Sequence, residues 1–218
     1  MVGQKSSNAV PQEEQVSLRA RKKQRTREQI ADAAARLFAA KGFDQTTITE
    51  IARAAEVSEQ TVYNYFPTKE ELVFDEDAAF AARLVGMVCE RPRGAGLVDA
   101  VRSEAHAFLE ELGRRPDGPH RAGGMPYLVA VSPALRRHWL EMVERHTHVV
   151  ANVLVEQSVG TLSMPTAKIL AFSLTAVFTV IIDEFGQATK TGKANRKAVL
   201  NALRTQIDEA LDRIATGL

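Results

Sequence analysis

Residues Thr46–Lys69, TTITEIARAAEVSEQTVYNYFPTK, constrain this chain more than any other stretch. Thr47 followed three positions later by Glu50 is a capping box, in which hydroxyl and carboxylate each satisfy an unpaired backbone N–H at a helix start. A helix then runs from Ile48 to Ala55, where Ala52, Ala54 and Ala55 are small enough to let a second helix cross closely. A tight turn around Glu56 and Val57 follows. Ser58 caps the next helix, Glu59 to Phe66, and Val57 can staple onto Val62. Pro67 stops that helix, and Thr68 with Glu71 makes another box. Two short helices joined this way read as a helix-turn-helix over residues 47–66.

The second helix has two faces. At 100° per residue Val62 and Phe66 share one side, while Gln60 and Asn64 fall on the other with Thr61 and Tyr63 beside them. Gln and Asn amides can pair bidentately with adenine in a major groove. Thr can touch a thymine methyl, and Tyr can reach a methyl or a phosphate. Lys69, just beyond, is placed for a phosphate.

These residues carry a resemblance. The pattern F-A-A-K-G-F, T-T-I-T-E-I-A, V-S, T-V-Y-N-Y-F-P-T-K-E-E-L, spread over roughly residues 24–84, is similar to the N-terminal domain of the TetR (tetracycline-repressor-like) family of bacterial regulators. The resemblance implies an all-helical homodimer, more often a repressor, with a C-terminal domain that binds a small effector. Carried over position by position, it makes Thr47, Ser58, Gln60, Thr61, Tyr63, Asn64, Tyr65 and Lys69 the set that faces DNA. Two residues depart from the pattern: Glu56 stands where the family usually has Gly in the turn, and Glu59 is an acid close to the phosphates.

Charge is distributed unevenly. Residues 1–27 hold seven Lys/Arg against two Glu, a net of +5, whereas residues 28–69 hold four against six, a net of −2, within a chain whose total is +1. Attraction to phosphates therefore falls to the basic run, including Arg21, Lys22 and Lys23, to helix N-termini and to Lys69. Residues 1–23 are expected to be a disordered basic arm able to follow phosphates or a minor groove, the alternative being a solvated run. The domain plan is this arm, a DNA-binding domain over 24–84, and an effector-binding and dimerisation domain over 85–218. One cysteine, Cys89, fits a reducing cytosol. No apolar run follows Met1, and Ile169–Ile182 is shorter than the ~20 residues of a membrane span, so a soluble cytoplasmic chain without a membrane partner is expected.

Further helices follow from periodicity. Thr26 with Gln29 opens one that Gly42 closes, and Lys69 starts a long one reaching about Cys89. Leu97–Leu112 is the next, followed by a loop over Arg114–Pro126 and a short apolar segment, Tyr127–Val131. Ser132–Pro133 begins another that lasts to about Ser158. Ser163 to about Gly186 is apolar all round, and Asn195–Ala215 is amphipathic. A helix without a polar face needs cover on every side, so the last two helices are expected to build a four-helix bundle with a second copy. Such a homodimer suits a palindromic double-stranded operator read at half-sites ~34–36 Å apart.

The resemblance places an effector site among residues 80–185. Candidate lining residues are Phe80, Phe108, Met125, Tyr127, Trp139, Met142, Phe172 and Phe178, with His106, Asp183 or Glu184 as polar anchors, and this set favours a hydrophobic or aromatic effector. No cofactor is expected. A metal-responsive regulator of the same fold is the alternative, but His138, His146 and His148 point three ways from one helix. A small helical enzyme lacks any paired nucleophile and base, and a non-specific architectural DNA binder conflicts with the mildly acidic reader.

Overall fold

The computed structural model describes residues 12–91, 94–114, 124–190 and 195–216, with the side chains of 12–17 left aside. These residues form nine α-helices and no strand: α1 Gln12–Lys41, α2 Ile48–Ala54, α3 Glu59–Tyr65, α4 Asp77–Cys89, α5 Leu97–Arg114, α6 Met125–Val131, α7 Pro133–Gln157, α8 Met164–Thr189 and α9 Arg196–Thr216. A single 3-10 turn, Glu70–Leu72, lies between α3 and α4. The all-helical fold and the order of its elements are those the sequence led one to expect.

Local chemistry explains the boundaries. Thr47 caps α2 in a complete box with Glu50, Ser58 accepts from the Thr61 N–H at the head of α3, and Ser132 and Ser163 do the same for α7 and α8. Gly42 closes α1 in the left-handed region, φ +83°, with its N–H bonded 2.9 Å from the Phe38 carbonyl.

Three expectations need correction. α1 does not start at Thr26: it is continuous from Gln12, and the Thr26 hydroxyl donates back to the Lys22 carbonyl at 3.1 Å. The basic run Arg19–Arg27 is thus helical, exposed on all sides through Arg25, and not an irregular arm; residues 1–11 of that arm lie outside the described residues. The long helix from Lys69 is interrupted by the 3-10 turn and the non-helical residues 73–76, and α4 begins only at Asp77. The segment around Tyr127 is a helix entered through Pro126, so the expected loop narrows at both ends; its residues 115–123 lie outside the described ones, as do 92–93 in the break after α4.

Ile30, Ile51, Val62 and Phe66 are fully buried and form the centre of the three-helix unit α1–α3. α8 packs along α7 and α6, α4 lies on α7 and α5, and α9 closes over α5 and α8. Gly186 fixes the α6–α8 contact: a Cβ there would stand 2.3 Å from the Pro126 carbonyl oxygen, so no larger residue permits this approach. By length and composition α8 could cross a membrane, yet its Ala167, Ala171, Phe178, Ile181 and Ile182 are buried within the bundle.

Candidate nucleic-acid interface and effector cavity

α3 turns its amides to solvent, as the helical spacing predicts. Val62 and Phe66 anchor it from below, while Gln60 and Asn64 are exposed and bonded to one another, the Gln60 Nε2 donating to the Asn64 Oδ1 at 3.1 Å. That bond lines up the two amides on one face of the helix. Tyr63 is 45 % exposed beside them. The Ser58 and Thr61 hydroxyls lie 2.8 Å apart at the head of the helix, and Thr47 is exposed at the head of α2.

Glu50 is doubly engaged. Its hydrogen bond with Lys41, together with the backbone and hydroxyl of Thr47, holds its carboxyl down to about 2 from the ordinary 4.5. The turn residue Glu56 adopts φ +54°, the left-handed conformation that glycine takes without cost.

Lys69 also bonds within the protein. Its ammonium donates to the carbonyls of Phe43 at 3.0 Å and Thr46 at 2.9 Å and lies 4.2 Å from the Phe43 ring centre. Two of its three donors thus tie the residues after α3 to the loop after α1, leaving one for a phosphate. Tyr65 is half-buried against the core, and its carbonyl accepts from Arg27. Arg21, Lys22 and Lys23 stand exposed on α1.

Arg27 is the residue that sequence reasoning missed, because it was counted with the basic run. Its guanidinium lies 4.3 Å over the Phe66 ring, donates to the Tyr65 carbonyl at 3.0 Å, and reaches the Asp75 carbonyl at 3.3 Å. One side chain thereby joins the end of α3 to the segment 73–76. A second link is the Ser132 hydroxyl, 2 % exposed, donating to Asp44 at 2.9 Å.

A cavity of about 330 Å³ opens beside that segment. Of the predicted lining residues, Phe80, Phe108, Met125, Trp139 and Met142 face it. Phe178 stands behind, its ring edge-on to Phe80 at 5.4 Å and Phe108 at 5.7 Å. The others lie elsewhere. Phe172 is 66 % exposed on the outer side of α8, and Tyr127 and Glu184 are exposed away from the cavity. His106 pairs with Asp208 at 2.9 Å, between α5 and α9, and Asp183 pairs with Arg136.

The cavity's polar lining comes instead from Asp75, Glu76, Asp77, Arg83 and Glu111. Burial alone would lower the Arg83 guanidinium, but its bonds to Glu111 and Glu104, each 2.6 Å at the closest approach, raise it above its ordinary value. His146 is 2.7 Å from Asp77, and burial nevertheless pushes its imidazole below the ordinary histidine range. His138 stacks on Phe74 at 5.2 Å, and His148 bonds the Glu144 carbonyl within its own helix. Among the described residues no group of three or more His, Cys, Asp or Glu is arranged to hold a metal ion.

Parts of the chain are similar to known proteins. Residues 30–75 match the family of bacterial regulatory proteins called tetR. The regulator TcmR of Streptomyces glaucescens, an HTH-type transcriptional regulator, is 34 % identical over 137 residues, 63 % of this chain and 56 % of its own. The match to the tetR family lies in the N-terminal part of the chain, residues 30–75. HbdR of Aromatoleum sp. (strain CIB), another HTH-type regulator, is 46 % identical over 48 residues, 22 % of this chain and 21 % of its own. The chain thus spans about half, or less, of the length of these curated relatives.

The tetR-type fold extends through the C-terminal helices. A tetR-family regulator from Mesorhizobium loti superposes with a TM-score of 0.54 at 21 % identity, covering 88 % of this chain and 97 % of that one. NalD, the secondary repressor of the MexAB-OprM multidrug efflux pump in Pseudomonas aeruginosa, gives 0.55 at 17 % identity, covering 87 % and 96 %. At such identities these neighbours establish the fold alone. The family is one of regulators and not of enzymes.

Proposed function

We propose that the protein is a cytoplasmic, homodimeric, sequence-specific DNA-binding repressor that leaves a palindromic operator when a small molecule fills the cavity. The observation that carries this reading is the exposed Gln60–Asn64 amide pair on α3, held outward by the buried Val62 and Phe66. Bidentate amides on a short helix suit adenine in the major groove, and Tyr63, Thr61, Ser58 and Thr47 surround them with methyl and phosphate ligands.

The dimer rests on α8 and α9. Ile169, Phe172 and Val180 are exposed at helical spacing on the side of α8 turned away from the bundle, 68 %, 66 % and 50 % respectively. An apolar stripe of this kind on a bundle helix calls for cover, and a second copy supplies it with twofold symmetry. That cover also accounts for the apolar character of α8 without a bilayer.

Release follows from the position of the cavity. Its wall includes residues 73–77, the interruption between the 3-10 turn and α4, and Arg27 ties Asp75 to the end of α3. A ligand that shifts this segment alters how α3 is held, and a ligand with unequal affinity for the two arrangements moves the population between them. The boundary between the reader and effector domains is accordingly drawn at 73–76.

Incubating the purified protein with sheared chromosomal DNA and sequencing the retained fragments tests this reading. Discrete peaks sharing an inverted repeat are expected. Even coverage of the genome would reject it.

A further inference from the structure

The first turns of α1 stand apart from the rest of the molecule. Residues 18–25 are exposed without interruption, and they include five cations, Arg19, Arg21, Lys22, Lys23 and Arg25. None of these five side chains has an ion pair or hydrogen bond among the described residues. Elsewhere in the reader the cations are engaged or outnumbered. Lys41 is paired with Glu50, Lys69 gives two donors to backbone carbonyls, and Arg27 lies over Phe66. Residues 28–69 carry four Lys/Arg against six Asp/Glu, a net of −2. The body that holds α3 therefore does not attract a phosphate backbone by its net charge, and the cations before Arg27 are placed to offset this.

Position and shape narrow the partner. Arg27 marks where α1 passes the end of α3, because it reaches the Tyr65 carbonyl at 3.0 Å. The five cations occupy the two turns before it. At 100° per residue Arg19 and Lys23 continue the edge that bears Arg27, while Arg21 and Arg25 lie on the opposite side with Lys22 beside them. A helix with its side chains is about 10–12 Å across and a B-form minor groove about 6 Å, so this helical stretch does not enter that groove. Cations on two sides of a rod suit phosphates, which line the duplex surface and demand no base geometry.

We infer that the first turns of α1 dock on the sugar–phosphate backbone of duplex DNA beside the half-site held by α3, an inference that rests on the protein being a DNA binder. Arg19–Arg25 covers about 9 Å of helix, the rise of roughly three base pairs, so about two or three phosphates per subunit come within reach. Affinity and base choice then reside in different helices: α1 holds the backbone and α3 selects the bases.

The test uses the full-length protein and an A·T-rich duplex of about 30 base pairs that is not an operator, at several salt concentrations. Arg19→Gln, Arg21→Gln, Lys22→Gln, Lys23→Gln and Arg25→Gln together keep helix propensity and remove the charge. The slope of log affinity against log salt should become shallower by about 2–3 units per bound subunit, with helicity unchanged by circular dichroism. Arg19→Lys, Arg21→Lys and Arg25→Lys together should keep the native slope. Netropsin, which fills the minor groove, should leave the difference between the native protein and the Gln variant intact. Parallel slopes for these two, or no binding of the duplex by the native protein at low salt, overturn the inference, and the enrichment of chromosomal fragments decides the DNA-binding reading separately. A difference that netropsin abolishes places the cations in the minor groove and overturns the backbone assignment.

Discussion

Glu56 occupies a position that favours glycine, with φ +54° in the turn between α2 and α3. A side chain in that conformation costs on the order of 1 kcal/mol, and Glu56 is exposed, so nothing packs against it in return. Glu56→Gly should therefore stabilise the protein by roughly 0.5–1 kcal/mol, read from chemical denaturation, whereas Glu56→Ala should bring no gain. Glu50 makes a different prediction. Its folded value of about 2 is below the ordinary 4.5, so its contribution is complete above pH 4.5 and is lost as the pH falls towards 2. Glu50→Gln keeps the reach of the capping box but cannot titrate, and its melting temperature should fall less steeply with acid across that window. Parallel slopes would mean that the carboxylate is not what titrates. Both residues were legible as members of a motif. Their energetics were not, because a backbone angle and a lysine nine positions away appear only in three dimensions.

Among the elements, what could be read depended on how local the signal was. Caps are local, so α2, α3, α7 and α8 begin where Thr47, Ser58, Ser132 and Ser163 indicated. The interruption at 73–76 was hidden because Leu72, Val73, Phe74 and Phe80 continue a helical apolar spacing through it. In α1 the error was opposite: a polar, charged run without apolar periodicity gives no sign of a helix that a long, continuous neighbour propagates. Facing was the hardest part. On an all-apolar helix such as α8, spacing cannot separate Phe178, inside, from Phe172, outside. The cavity acids Asp75, Glu76, Asp77 and Glu111 belong to no motif, and nothing in their spacing marks them as lining one space. Arg27 joins two such elements, and Arg27→Met, which keeps the stem and removes the donors, should lower stability by about 1–2 kcal/mol. Amide exchange should then quicken at the end of α3 and across residues 73–76 together. Acceleration confined to α1 would show that no bridge exists.

The whole molecule is, as proposed above, a pair of copies joined through the exposed stripe of α8. Ile169→Glu with Phe172→Glu places charges on the exposed stripe of α8 without touching its buried face, so the protein should sediment as a folded monomer with unchanged helicity. A dimer that survives both changes would move the interface elsewhere. Loss of the dimer should also weaken operator binding steeply, because each subunit reads only half of the site. The central claim is that α3 reads bases through its paired amides. Its most direct test is selection of duplexes from a random pool by the native protein and, in parallel, by Asn64→Ala. The native protein should recover an inverted repeat with half-sites about one helical turn apart, and the variant the same repeat relaxed at one position in each half, with affinity lower by ~1–3 kcal/mol. An identical consensus with uniformly weaker binding would make Asn64 a backbone contact, and no consensus at all would contradict the account.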